Sequence, residues 1–329
     1  MKKNEQNEPL LSVRDLTIHY ITDDGVVRAV NGISFDLNHG ETMGLVGETG
    51  AGKTTAALGL MQLVPDPPGK IVSGSVKFAG KELIGLGKLR MRLFRGKEMS
   101  MIFQDPMTAL NPVITVGEQV AEVIRIHNKV SVKEAVKQAA EMLETVGISS
   151  ERMGDYPHQF SGGMKQRVVI AIALACNPHL IIADEPTTAL DVTIQAQVLE
   201  LMNRLQEKYN TAMLLITHDL GVVAEICDKV AIMYAGQIVE SGSLEDIYED
   251  TRHPYTKGLF GSLPRLSSKL HRLSPIYGLM PDPTDLPKGC SFAPRCPNRC
   301  KACEERMPEN HEVSPGHFVR CVLYDADRQ

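Results

Sequence analysis

Apolar positions fall into three textures along this chain, and each predicts a different kind of element. Near the start, Leu10 to Tyr20 and Val26 to Leu37 alternate or run apolar on either side of Asp23-Asp24-Gly25, which predicts an antiparallel hairpin or meander. Thr42 to Val46 reads as a short buried strand, followed by a glycine-rich loop and a helix over Thr54 to Leu63. Gly74 to Phe78 and Met99 to Phe103 predict further strands.

From Val116 to Gly147 the period becomes helical. Val120, Val123, Ile124 and His127 share one face, and Ala135, Ala139, Met142, Leu143 and Val146 share another. Beyond them the pattern predicts a helix over Gln166 to Cys176, a strand over Leu180 to Ala183, a helix over Thr193 to Tyr209 and a strand over Ala212 to Thr217. Strands alternating with helices imply a mostly parallel sheet with helices packed on it. After about Asp250, ten prolines from Pro254 to Pro315 interrupt any long element. A boundary near 245–255 follows, and the tail beyond it is too short and proline-rich to bury a good core unaided.

Composition narrows the class. With 43% hydrophobic and 23% charged residues the chain reads as globular rather than disordered. No apolar run approaches the roughly 20 residues that span a bilayer, and the polar start Met1 to Glu8 lacks the apolar core of a secretory signal, so a cytoplasmic location is expected. A net charge of −5 gives no general attraction to nucleic acid. Lys88, Arg90, Arg92, Arg95 and Lys97 form one basic patch, read as a solvated face, with contact to lipid headgroups or a partner as the alternative.

The chemistry sits at strand ends. Gly47-Glu48-Thr49-Gly50-Ala51-Gly52-Lys53-Thr54 matches the phosphate-binding loop, between a strand and a helix as that motif requires. Its backbone N–H groups wrap phosphates, Lys53 reaches the outer oxygens and the Thr54 hydroxyl ligates Mg²⁺. Leu180 to Glu185 is an apolar strand closed by two carboxylates. Asp184 is placed to support Mg²⁺, and Glu185 to polarise an attacking water. Gln104 and His218 each end a strand where they can serve the same site, and Asp191, seven residues after Asp184, could bridge to a second subunit. Ser161-Gly162-Gly163 forms a second anion cradle at a helix N-terminus. Two cradles in one chain suggest a nucleotide closed between two protein copies.

These motifs, from about residue 9 to 250, resemble the nucleotide-binding subunit of an ATP-binding cassette (ABC) transporter. Met101 to Pro112 and His253-Pro254-Tyr255-Thr256 are similar to stretches of the oligopeptide and dipeptide importers, which extends the likeness over nearly the whole chain. The resemblance implies an α/β P-loop fold with a mostly parallel core, an antiparallel β subdomain and a helical subdomain at about 105–165. A flexible start (1–8) and a proline- and cysteine-rich extension (251–329) would flank it. It implies Tyr20 stacked on adenine and Gly47, Glu48, Thr49, Gly50, Ala51, Gly52, Lys53, Thr54 and Thr55 around the phosphates. Thr54, Gln104 and Asp184 would attend Mg²⁺, Glu185 would be the catalytic base, and His218 would position the γ-phosphate. Ser161, Gly162, Gly163 and Asp191 would serve the opposite site. Met164 stands where the family has Gln, leaving the serine hydroxyl and backbone donors in place. The implied assembly is a second, non-identical ATPase subunit, two membrane permeases and an extracytoplasmic solute-binding protein at the cytoplasmic membrane face. Nickel-chelate or sugar-derived cargo stands as an alternative to peptides. DNA-repair and ribosome-associated cassettes are disfavoured, because residues 117–160 cannot hold a long coiled coil and the chain has one P-loop.

Seven cysteines divide unevenly. Cys176 and Cys227 lie alone in apolar, helix-like surroundings and read as structural thiols. Cys290, Cys296, Cys300, Cys303 and Cys321 crowd into 32 residues, with His317 just before the last. Thiolates so spaced can converge on one zinc or on a four-iron cluster, or remain reduced thiols. The resemblance implies a [4Fe-4S] cluster on Cys290, Cys296, Cys303 and Cys321, with Cys300 extra and Zn²⁺ as the alternative.

Overall fold

A computed structural model of the chain describes residues 8–188, 190–262 and 275–325. The polar start expected to be flexible therefore lies outside the described residues, apart from Glu8. Among the described residues, twelve strands form two sheets. β1 (Leu11–Thr22), β2 (Gly25–Leu37), β4 (Gly69–Phe78) and β5 (Lys81–Glu82) make an antiparallel sheet in the order β2-β1-β4-β5. The hairpin turns at Asp23-Asp24, with Thr22 opposite Gly25.

The larger sheet holds β3 (Thr42–Val46), β6 (Met99–Ile102), β7 (Leu180–Asp184), β8 (Ala212–Thr217), β9 (Lys229–Tyr234), β10 (Gln237–Ser243), β11 (His311–Ser314) and β12 (His317–Val319). Its order is β11-β12-β10-β9-β3-β8-β7-β6. The run β9-β3-β8-β7-β6 is parallel throughout. Central strands covered on both faces need apolar residues at every position, not alternate ones. Accordingly β3, β7 and β8 are buried end to end. In an open parallel sheet, ligands gather beyond the carboxyl ends of the strands. Here those ends deliver Gly47, Gln104, Glu185 and His218 to one edge.

The helices Val116–Asn128 and Val132–Thr145 pack as a pair against the helix Gly162–Leu174. They bury Val120, Ile124, Ala135, Ala139, Met142 and Leu143, the faces expected from their spacing. His127 is only half-buried, under Gly96.

The tail is woven into the larger sheet. β12 pairs with β10, β11 completes that edge, and Tyr255 and Phe292 are fully buried in the main core. Glu240 joins them: it is completely buried and accepts from the backbone N–H groups of Arg252 and His253, with His317 Nε2 3.0 Å away. The basic patch is only partly a solvated face. Lys88, Arg90 and Arg92 are exposed on a short helix, Lys88–Phe94. Arg95 instead donates to the carbonyls of Met61 and Gln62.

Candidate nucleotide site

The phosphate loop begins where β3 runs out of sheet, and two of its glycines are required by contact. A Cβ on Gly47 would stand 2.2 Å from the Met233 carbonyl oxygen. Gly52 has φ of +101° and equally little room against the Ala29 carbonyl oxygen. Lys53 opens the helix Lys53–Leu60 and folds back so that Nζ donates to the carbonyls of Gly47 (2.7 Å) and Glu48 (3.1 Å). Burial lowers its pKa, against the pull of Glu185, Asp184 and Glu48. A buried cation held on weak carbonyl acceptors gains strongly from an anion brought to it.

Asp184 ends β7, 2% exposed, and accepts from the Thr54 hydroxyl at 3.2 Å. Burial raises its pKa, Thr54 acts against that, and the neighbouring Glu185 charge adds to it. A desolvated carboxylate beside a hydroxyl and a second carboxylate suits a divalent cation, whose charge offsets the desolvation. Thr54 and Asp184 therefore fit Mg²⁺.

Glu185 has φ of +46°, unusual for a residue with a side chain and costly unless its surroundings enforce it. Its N–H donates to the Ile216 carbonyl on β8, and its side chain is held on both oxygens. Gln104 Nε2 (2.9 Å) and the Thr188 hydroxyl (3.0 Å) donate to Oε2, while His218 Nδ1 lies 3.2 Å from Oε1. Burial works against the charged form. Hydrogen bonds from His218 and Thr188 and the charges of His218 and Lys53 more than offset it, so the pKa falls below the ordinary glutamate value. Glu185 is thus an ionised, oriented carboxylate at neutral pH.

A cavity of about 400 Å³ opens over these groups. Tyr20, Thr49, Lys53, Thr55, Gln104 and Glu185 line it, with Tyr20 Oη 3.4 Å from Thr55 Oγ1. Among the described residues, none of Ser161, Gly162, Gly163 or Asp191 lines that cavity. Ser161 caps the helix Gly162–Leu174 through the Met164 N–H, and Asp191 caps Val192–Tyr209 through the Ile194 N–H. Gly163 is packed against Ile194, where a Cβ would come within 2.5 Å, so the two caps are braced together. The cavity and the Ser161-Gly162-Gly163 turn are thus separate features of the one chain.

The residues matched by a family profile for ABC transporters are 30–188, and a profile for the oligopeptide/dipeptide transporter C-terminal region covers 239–303. The dipeptide transport ATP-binding protein DppD of Bacillus subtilis is 51% identical over 97% of this chain and 96% of its own length. The chain belongs to the ATP-binding subunits of the oligopeptide/dipeptide ABC transporter family. The oligopeptide transport ATP-binding protein OppD of Escherichia coli is 47% identical over 96% of this chain and 94% of its own length. A solved structure titled as a dimeric, post-hydrolysis state of the ATP-binding cassette MJ0796 bound to ADP and Pi superposes with a TM-score of 0.64. It is 26% identical and covers 71% of this chain and 98% of that one. This ABC subunit is an ATPase of the α/β cassette fold with parallel and antiparallel sheets, as its sequence led one to expect.

Other features of the ABC subunit were not legible in its motifs. Thr188 donates to Glu185 from a stretch without special composition. The cavity is also walled by Met280, Pro281, Pro283 and Leu286 of the extension. Of the tail cysteines, Cys300 Sγ and Cys303 Sγ are 3.5 Å apart, and the Cys290 N–H donates to the Cys303 carbonyl. Burial raises the thiol pKa values of Cys290 and Cys296 and pushes that of Cys321 up to about 12. Cys290, Cys296 and Cys303 add to the Cys321 shift. Among the described residues, no group of three or more His, Cys, Asp or Glu is arranged to hold a metal ion. Cys227 is buried with its thiol at about 12, and half-buried Cys176 at about 11, both through burial. No described helix is long and apolar enough to cross a membrane.

Proposed function

We propose that this ATPase powers uptake of di- or oligopeptides through two partner permeases, at the cytoplasmic face of the membrane. Its partners in that reading are a second, non-identical ATPase subunit and an extracytoplasmic solute-binding protein. The peptide cargo is supported by relatives named for dipeptide and oligopeptide transport that match over nearly their whole length. The chemistry is supported by one observation above others: Glu185 is held by both Gln104 and His218 at the mouth of the phosphate loop.

Glu185 takes the proton of a water as its oxygen attacks the γ-phosphorus, and the bond from that phosphorus to the bridging oxygen breaks. Lys53 and the loop N–H groups bind the phosphates. Thr54, Asp184 and Gln104 would hold Mg²⁺, which when bound would draw charge from the phosphate oxygens. His218 fixes the Glu185 carboxylate and reaches the γ-phosphate. Ser161, Gly162, Gly163 and Asp191 close the partner's nucleotide, and Tyr20 stacks on adenine. Closing two such halves together delivers the mechanical step, with the segment after Gln104 and the paired helices facing the permeases.

Replacing Glu185 with Gln keeps the shape and removes the proton acceptor. Turnover should fall about 10²- to 10⁴-fold, with ATP retained. Unchanged turnover would exclude Glu185 as base.

The tail is proposed to carry a [4Fe-4S] cluster on Cys290, Cys296, Cys303 and Cys321. Crowded cysteines whose ionised forms are disfavoured by burial and then by one another support that reading, since a metal removes the cost of gathering thiolates. Zinc on the same thiols is the alternative. Anaerobic purification with iron, sulfide and zinc analysis decides it, and a folded tail free of all three sinks both.

A further inference from the structure

The link between the extension and the phosphate loop runs through one side chain. Arg295 immediately precedes Cys296, and its side chain is only 6% exposed. Nη1 donates to both carboxylate oxygens of Glu48, at 3.0 and 3.2 Å, and lies 3.4 Å from Tyr234 Oη. Nε donates to the Tyr277 carbonyl and Nη2 to the Ile276 carbonyl. The guanidinium also faces the Tyr234 ring, 5.8 Å from its centroid. A fork of fixed geometry can serve several acceptors at once; an ammonium cannot serve the same set.

Those acceptors belong to two parts of the nucleotide site. Glu48 is in the phosphate loop, and its N–H is separately held by the Tyr255 hydroxyl at 3.1 Å. Residues 276 and 277 begin a strap that ends where the Arg28 N–H donates to the Pro283 carbonyl at 2.9 Å. Between these two pins Met280 reaches the loop: a Cβ on Gly50 would lie 3.1 Å from its Cε. Met280, Pro281 and Pro283 then wall the cavity. The strap has no helix or strand of its own, so beyond the packing of Ile276 and Met280 on the core its place depends on the pins.

We propose that Arg295 is a positioning residue for ATP, clamping the strap 276–283 and Glu48 so that the extension forms one wall of the nucleotide site. The inference rests on reading this cavity as the ATP site. Loss of the guanidinium frees the strap at one end and leaves Glu48 without its counter-ion. The loop then samples shapes unable to bind phosphate, and affinity falls by the fraction lost.

The test uses the full-length chain, with MgATP binding measured by fluorescence competition, and the assembled transporter for kinetics. Arg295→Gln should weaken MgATP binding about five- to twentyfold by that population argument. KM for ATP should rise by more than kcat falls, and Arg295→Lys should recover part of the loss. Glu48→Gln should weaken binding too, and the double variant should be no worse than the weaker single one, because both remove the same contact. Should Arg295→Gln not fold, Glu48→Gln and Tyr255→Phe read the two pins of the loop on their own. Unchanged affinity in folded variants, or a lowered melting temperature with an unaltered KM, overturns the clamp. Failure of the wild-type chain to bind MgATP overturns the underlying site assignment instead.

Discussion

Glu185 and His218 face each other from the carboxyl ends of neighbouring parallel strands, with Oε1 and Nδ1 3.2 Å apart. Gln104, from the next strand over, takes the other oxygen. The carboxylate is therefore anchored by two strands of one rigid sheet, as its proposed role as base requires. Preorganisation of this sort removes the reorganisation cost at the moment of reaction.

Removing one anchor should cost turnover more than binding. His218→Ala leaves Lys53 and the loop intact, so ATP affinity should stay within about threefold, while hydrolysis by the assembled transporter falls roughly 10²-fold or more. Steady-state kinetics alongside nucleotide binding separates the two. A large loss of affinity with kcat preserved would assign His218 to binding alone.

The tail's attachment predicts a stability effect far from the nucleotide. Glu240 satisfies two backbone N–H groups and His317 while fully buried. Glu240→Ala strands all three, at a cost of about 3 kcal/mol or more. Urea unfolding of the purified chain measures it, and a change under about 1 kcal/mol would show that water replaces the carboxylate.

His253 gives a pH dependence with a definite sign. Burial pushes its pKa down to about 3, with its contact to the Arg320 backbone acting weakly the other way. The folded chain thus keeps it neutral where the unfolded chain, near 6.5, takes up a proton. Its contribution is intact above about pH 6.5 and is lost progressively as pH falls from there towards 3. Between pH 7 and 5 that amounts to about 2 kcal/mol. Asn at this position can still cap the helix Pro254–Gly261, as the His253 ring does for the Tyr255 N–H. Denaturant midpoints at the two pH values should therefore differ less in His253→Asn than in wild type. Equal differences would clear His253 of the effect.

How far these features could be read from residues alone depended on range. Leu180 to Glu185 announces a buried strand ending in acid because the parallel sheet demands an unbroken apolar run. The glycine loop is legible because close backbone approach leaves no alternative at Gly47 or Gly52. His311–Ser314 and His317–Val319 gave no signal. They are short, flanked by Pro315 and Gly316, and exist because β10 offers them an edge. Met280 and Arg295 were likewise invisible: they reach the phosphate loop from more than 200 residues away in sequence. The tail buries Tyr255 and Phe292 in the core of the cassette, which its own composition could not foretell.

The sharpest measurement is the structure of the assembled Glu185→Gln transporter trapped with MgATP. The phosphates should lie between Lys53 with its loop and the Ser-Gly-Gly turn of the other ATPase subunit, and Ser161 of this chain should touch the partner's nucleotide. ATP enclosed by one polypeptide, with Ser161 remote from any phosphate, would contradict the two-surface site.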